Sequence, residues 1–97
     1  MRVIAKKVLR EFWAIYTDTE QQLQFWHQKA SESKWKNPNE IKQNFPSASI
    51  LSDNRVVFNI KGNAYRLIVK INYRYQMIWI RFVGTHEQYN QVDALKI

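Results

Sequence analysis

From Ile50 to Val83 the apolar residues alternate with other residues; before Ile50 they recur every three or four positions instead. A period of two belongs to strands with one buried face, and a period near 3.6 to amphipathic helices. This one switch divides the chain into a helix-forming first half and a sheet-forming second half. At 97 residues there is room for a single core, so residues 1–97 are expected to form one domain.

The first half opens on "RVIA", a short apolar run that can serve as an edge strand. Val8, Leu9, Phe12, Ile15 and Tyr16 then mark a helix that leaves Lys6, Lys7, Arg10 and Glu11 outside. Thr17 to Thr19 breaks it, and a second helix runs to about Ser33 on the stripe Leu23, Trp26 and Ala30. In "SKWKNPNEIKQNFPSA", Asn39 can cap a helical turn over Glu40 to Asn44, which Pro46 ends. Beyond Ile50, three strands follow. Val56, Phe58 and Ile60 alternate with Arg55, Val57 and Asn59 up to the turn "KGN". Tyr65, Leu67, Val69 and Ile71 alternate with Arg66, Ile68 and Lys70 up to "NYRYQ". Ile78, Ile80 and Phe82 form the expected core row of the last strand, against Met77, Trp79, Arg81 and Val83. Gly84 breaks this strand, and Thr85 with Gln88 is a capping-box pattern opening a final helix, "THEQYNQVDALKI". The fold class is therefore α+β. An antiparallel sheet of about four strands carries the N-terminal helices on one face, with a short helix at the C-terminal end.

Charge marks the other face. The protein has a formal net charge of +7, and no Asp or Glu occurs between Asn54 and His86. Lys61, Arg66, Lys70, Arg74 and Arg81 all fall in that window, with Arg55 at its start. Such a balance favours nucleic acid, an acidic protein partner or an anionic surface. No apolar run approaches the roughly 20 residues that span a bilayer, and "MRVIAKKVLREFW" lacks the continuous apolar region of a signal peptide. A cytoplasmic location and no membrane partner are expected. There is no cysteine, which removes disulfides, thiolate metal sites and thiol catalysis together.

Aromatic residues accompany the cations: Trp35 between Lys34 and Lys36, Trp79 near Arg81, and Tyr73 and Tyr75 around Arg74. Single-stranded RNA is held by such sets, with phosphates on cations and unstacked bases on aromatic planes. The competing explanation is a solvated sheet face with arginines for solubility, and core packing for Trp35 and Trp79. For Trp13 and Trp26, core packing is the better reading, and a lone His27 inside the second helix reads as structural. His86 and Tyr89, three residues apart at the start of the last helix, share a face. Histidine exchanges protons near neutral pH, but the same residue can simply bond to backbone at a cap. With two histidines and two glycines, neither a metal site nor a Gly-rich phosphate loop is expected, and no cofactor. Cations, a His and a Tyr suit RNA cleavage by the neighbouring 2′-hydroxyl, which needs proton transfer and stabilisation of a crowded anionic phosphate.

The joined pattern Phe58-Asn59-Ile60, Gly62-Asn63, Tyr65-Arg66-Leu67 and Gly84-Thr85-His86-x-x-Tyr89 resembles the HigB-type toxins of bacterial toxin–antitoxin systems, within the RelE/ParE superfamily. The upstream "KWKNPNEIKQNFPSASIL" is similar to that family's Trp-…-Pro-…-Ile-Lys segment, so the resemblance spans roughly residues 1 to 95. It implies an mRNA endonuclease that acts on the ribosome and is silenced by a cognate HigA-like antitoxin. By position, it implies that Arg66 and Arg81 bind or stabilise the scissile phosphate. His86 or Tyr89 would transfer protons or stack a base, and Lys61, Lys70 and Arg55 would hold the backbone, with Lys61 also a candidate charge stabiliser. Arg74, Trp79, Lys34, Trp35 and Lys36 complete the expected RNA-binding set. A ParE-like gyrase inhibitor, or an RNA-binding module that cuts nothing, is the alternative on the same fold.

Overall fold

A computed structural model describes residues 1–97. In chain order the elements are β1 (Arg2–Ile4), α1 (Lys6–Ile15), a 3-10 turn (Thr17–Thr19), α2 (Glu20–Glu32), α3 (Pro38–Asn44), β2 (Ser49–Ile50), β3 (Arg55–Ile60), β4 (Tyr65–Asn72), β5 (Met77–Thr85) and α4 (His86–Tyr89). The strands form one sheet in the order β1-β5-β4-β3-β2. All neighbours are antiparallel except β1, which runs parallel to β5 at the edge. The α+β class is as expected. The sheet has five strands rather than about four: "RVI" pairs as the expected edge strand, and two residues at Ser49–Ile50 add a fifth at the far edge.

The helices cover one face. Leu9 of α1, Leu23, Trp26 and Ala30 of α2, and Ile41 of α3 join Val56, Phe58, Ile60, Leu67, Val69, Ile71 and Ile78 in one core. Trp26 meets Phe58 edge-on at 5.4 Å, and Phe45 meets Phe58 at 5.1 Å. Full burial of each such side chain contributes on the order of 1.5–3 kcal/mol. The stripe read for α2 is the one buried. In α1 only part of the expected stripe is: Leu9 is enclosed, and Phe12 and Trp13 pack on the core, while Val8 and Ile15 lie exposed. The cap of α3 is also displaced. Asn37, not Asn39, accepts from the Glu40 N–H at 3.1 Å, because Pro38 takes the first helical position, where it has no N–H to lose.

Two features of β5 and α4 depart from the sequence reading. Ile68 pairs with Phe82 but Val69 pairs with Ile80, so Arg81 is an extra residue in β5. The bulge reverses the alternation beyond it. Ile78, Ile80 and Val83 face the core, whereas Phe82, expected there, turns to the opposite face with Gly84. The capping box is present, with Thr85 Oγ1 accepting from the Gln88 N–H at 3.1 Å and Gln88 Oε1 accepting from the Thr85 N–H at 2.9 Å. The helix nevertheless ends at Tyr89 rather than running on through Ile97.

Burial, with Lys6 nearby, holds His27 below its usual range. The unfolded chain then takes up a proton at higher pH than the folded one, so His27 stabilises the fold above about pH 6.5 and that contribution is lost as pH falls through the lower folded value. His27→Gln is expected to flatten the fall in melting temperature between about pH 7.5 and pH 5. An unchanged slope would assign that fall to other groups.

Candidate active site

The β3–β4 turn, the first residues of β4 and the start of α4 meet at one end of the sheet. Lys61 and Gly62 both adopt left-handed backbone, with φ of 53° and 63°, which reverses the chain tightly. The His86 N–H donates to the Ala64 carbonyl at 2.9 Å and ties α4 to that turn. Across the ladder Arg66 lies opposite Gly84. A Cβ at Gly84 would fall 2.5 Å from Phe82 Cζ and 2.8 Å from Gln88 Oε1. Only glycine lets the Phe82 ring and the capping glutamine close together there.

Arg66 is held on two sides. Its NH1 donates to the Asn63 carbonyl at 3.0 Å and its NH2 to Asn63 Oδ1 at 2.6 Å. Its Cζ lies 5.4 Å from the centre of the Tyr89 ring, a cation–π contact. No carboxylate lies within ion-pair distance of it. His86 is half-buried, and its Nδ1 is closed off from solvent without a partner. Of the two ring nitrogens, Nε2 is the one left open to a ligand. Lys61 stands on the helix side of the same end, with Nζ 3.9 Å from Asp18 Oδ2 and its N–H donating to Gln22 Oε1. The Tyr65 hydroxyl donates to both Asp18 oxygens, at 3.0 and 3.1 Å. That bond to a carboxylate raises the Tyr65 hydroxyl above its ordinary value, with burial adding to it. Arg66 thus meets Tyr89 beside the turn to which His86 is tied, whereas Lys61 is turned to the helix side and paired with Asp18. Asn63, which orients Arg66, belongs to the Gly62-Asn63 piece of the joined pattern; Asp18 and Gln22, which hold Lys61, carry no signal in the sequence, where they are polar residues of a break and a helix surface.

The remaining expected site residues divide differently. Arg55 is 7% exposed; its guanidinium donates to the main-chain oxygens of Ala94, at 3.4 Å, and Ile97. Arg81 Nε donates to Ile97 at 3.3 Å. These bonds fold residues 93–97 across the face opposite the helices, where Val57 and Ile68 are buried at 2% and 0%. Lys70 is paired with Asp53 at 3.1 Å, and the same carboxylate lies 3.9 Å from Arg55 Nε. Asp53 stands one residue before the acid-free window. The outer face is thus closed by the chain's own C-terminal segment and not open along its length. Arg55, expected to hold RNA, instead anchors that segment. Trp35, one of the expected stacking residues, is 2% exposed and donates its indole N–H to Asn44 Oδ1 at 2.8 Å, so it belongs to the core. Trp79 is half-buried opposite Lys70. Lys34, Lys36 and Arg74 are exposed, at the other end of the sheet.

Residues 19–92 match the family model of HigB_toxin, the RelE-like toxic component of a toxin–antitoxin system. The chain is 28% identical over 97 residues to the mRNA interferase toxin HigB of Escherichia coli (strain K12), an alignment covering 98% of this chain and 93% of that relative. The mRNA interferases HigB of Escherichia coli O157:H7 and Shigella flexneri match to the same extent. The turn that pins Arg66, the glycine opposite it and the capped His86–Tyr89 helix are the parts of the pattern that the resemblance rested on. The chain belongs to the HigB family, the RelE-like toxins of toxin–antitoxin systems.

Proposed function

We propose that this toxin is an endoribonuclease that cuts messenger RNA on the ribosome and so arrests translation. The observation that carries the reading is the Arg66 guanidinium, fixed between Asn63 and the Tyr89 ring beside His86 with no carboxylate to neutralise it. A 2′-hydroxyl attacks the adjacent phosphorus, and the bond to the 5′ oxygen breaks. The products are a 2′,3′-cyclic phosphate and a 5′-hydroxyl end. Arg66 holds the phosphoryl oxygens as negative charge builds on them, because its planar fork matches two of them at once. His86, through Nε2, exchanges the proton that leaves the 2′-hydroxyl or arrives at the 5′ oxygen. Lys61 adds a second cation. Membership of a toxin–antitoxin family implies an antitoxin partner. We take this to be a HigA-like protein that silences the toxin by laying an acidic segment over this cationic end. No helix is long and apolar enough to cross a membrane.

The test is to map mRNA 5′ ends in cells and with purified ribosomes for the wild type and His86→Gln. Wild type is expected to generate new 5′ ends within codons. His86→Gln is expected to cut about 10²–10⁴-fold more slowly while RNA affinity holds. Growth arrest with intact messages would sink the nuclease reading and favour a toxin that only binds. Normal cutting by His86→Gln would move proton transfer to Tyr89 or Lys61.

A further inference from the structure

At the end of the sheet away from Arg66, a pocket of about 480 Å3 is lined by Met1, Lys34, Lys36, Tyr73, Arg74 and Gln76. Tyr73 follows the last residue of β4 and Arg66 is its second, so the two ends lie roughly 20 Å apart along the strand. The pocket is built by specific bonds. Gln76, with φ of 56°, donates its side-chain amide to the Tyr73 carbonyl at 2.7 Å and to the Trp35 carbonyl at 2.8 Å. It thereby clips the loop of residues 34–36 onto the β4–β5 turn. Asn72 Oδ1 accepts from the Tyr75 N–H at 2.9 Å and closes that turn. Burial of the Trp35 indole leaves Lys34 and Lys36 exposed on either side of it.

No carboxylate lies within 4.0 Å of the side-chain nitrogens of Lys34, Lys36 or Arg74; the nearest acid, Glu40, accepts from the Lys36 main-chain N–H at 3.2 Å. Three cations around one concavity, none of them in an ion pair, leave a site that an anion completes. The wall supplies more than charge, since the half-buried ring of Tyr73, packed on the core, also lines it. A nucleotide meets both requirements, placing phosphate on the cations and base on the ring. An acidic peptide would use only the cations.

We propose that this pocket is a second RNA site, which takes a single-stranded nucleotide outside the segment that is cut. Tyr73 stacks the base, and Lys34, Lys36 and Arg74 hold the flanking phosphates. The proposal rests on the RNA reading of the Arg66–His86 end, and its test needs no cutting. Fluorescence anisotropy would follow a labelled ten-nucleotide RNA, fully 2′-O-methylated so that no 2′-hydroxyl can attack, across a salt series. The variant Lys34→Ala/Lys36→Ala/Arg74→Ala is expected to lower the slope of log affinity against log salt by about 2, at roughly 0.7 per lost phosphate contact. Tyr73→Leu is expected to weaken binding about five- to hundredfold with the slope kept, and Tyr73→Phe to restore it. Melting curves confirm that each variant is folded. An unchanged slope in the triple variant, or unchanged affinity in Tyr73→Leu, overturns the second site even where the wild type cuts mRNA. Displacement of the RNA from the wild type but not the triple variant by a decaglutamate peptide, together with unchanged affinity in Tyr73→Leu, overturns it in favour of a protein partner. A wild type that leaves messages intact refutes the nuclease reading separately.

Discussion

Arg66→Ala is expected to cut ribosome-bound mRNA about 10²–10³-fold more slowly than the wild type, a loss of about 3–4 kcal/mol of transition-state stabilisation. The guanidinium is already locked by Asn63 and Tyr89, so little reorganisation is needed as the phosphate becomes more anionic. Removing it takes away two charge-assisted hydrogen bonds that no neighbour can replace. Arg66→Lys is expected to recover only a small part, because an ammonium presents one point charge where the fork presents two aligned N–H groups. The side chain is half-buried at the end of β4 and makes no core contact, so the melting temperature should move by only a few degrees. Single-turnover cleavage and a thermal melt on the same preparations decide the matter. Cleavage within threefold of wild type would remove Arg66 from the chemistry.

Arg55→Ala is expected to act on stability rather than on RNA. A guanidinium with 7% exposure donates through NH1 to the main-chain oxygens of Ala94 and Ile97, and charged hydrogen bonds of this kind contribute about 1.5–3 kcal/mol. Its loss also loosens the segment that covers Val57 and Ile68. The combined cost is about 2–3 kcal/mol, or roughly 10–20 °C in melting temperature for a domain of this size. Urea titration should show a lower midpoint with an unchanged slope. A melting temperature within about 2 °C of wild type would show that residues 93–97 are not held by this side chain.

These two arginines look alike in the sequence: each occupies a polar position of an alternating strand inside a basic stretch. What separates them is distant in the chain. Arg66 finds its partners three residues back in its own turn and on the helix that follows β5, and the Gly-Asn-x-Tyr-Arg and Gly-Thr-His spacings make that cluster readable. Arg55 finds its partners about forty residues away, on a segment whose path no local pattern announces. The same holds for Lys70, neutralised by Asp53 just outside the acid-free window, and for Trp35, whose flanking lysines read as a binding motif although the indole is core.

By itself the sequence determined the fold class, the α2 stripe, the capped start of α4 and the grouping of Arg66, His86 and Tyr89. The α2 stripe and the capped start of α4 depend on residues within a turn or two of one another, where periodicity and capping chemistry act, and the fold class follows from the order of such elements. Arg66 and His86, 20 positions apart, are grouped only by the joined pattern that resembles the family. Only the tertiary structure decided the bulge at Arg81 that turns Phe82 outward, the five-strand order with β1 beside β5, and the C-terminal segment that closes the outer face. Those outcomes depend on which backbone oxygens and carboxylates reach which cations once the chain is compact, and hydrogen bonds between residues 16 to 42 positions apart leave no periodic trace in the sequence.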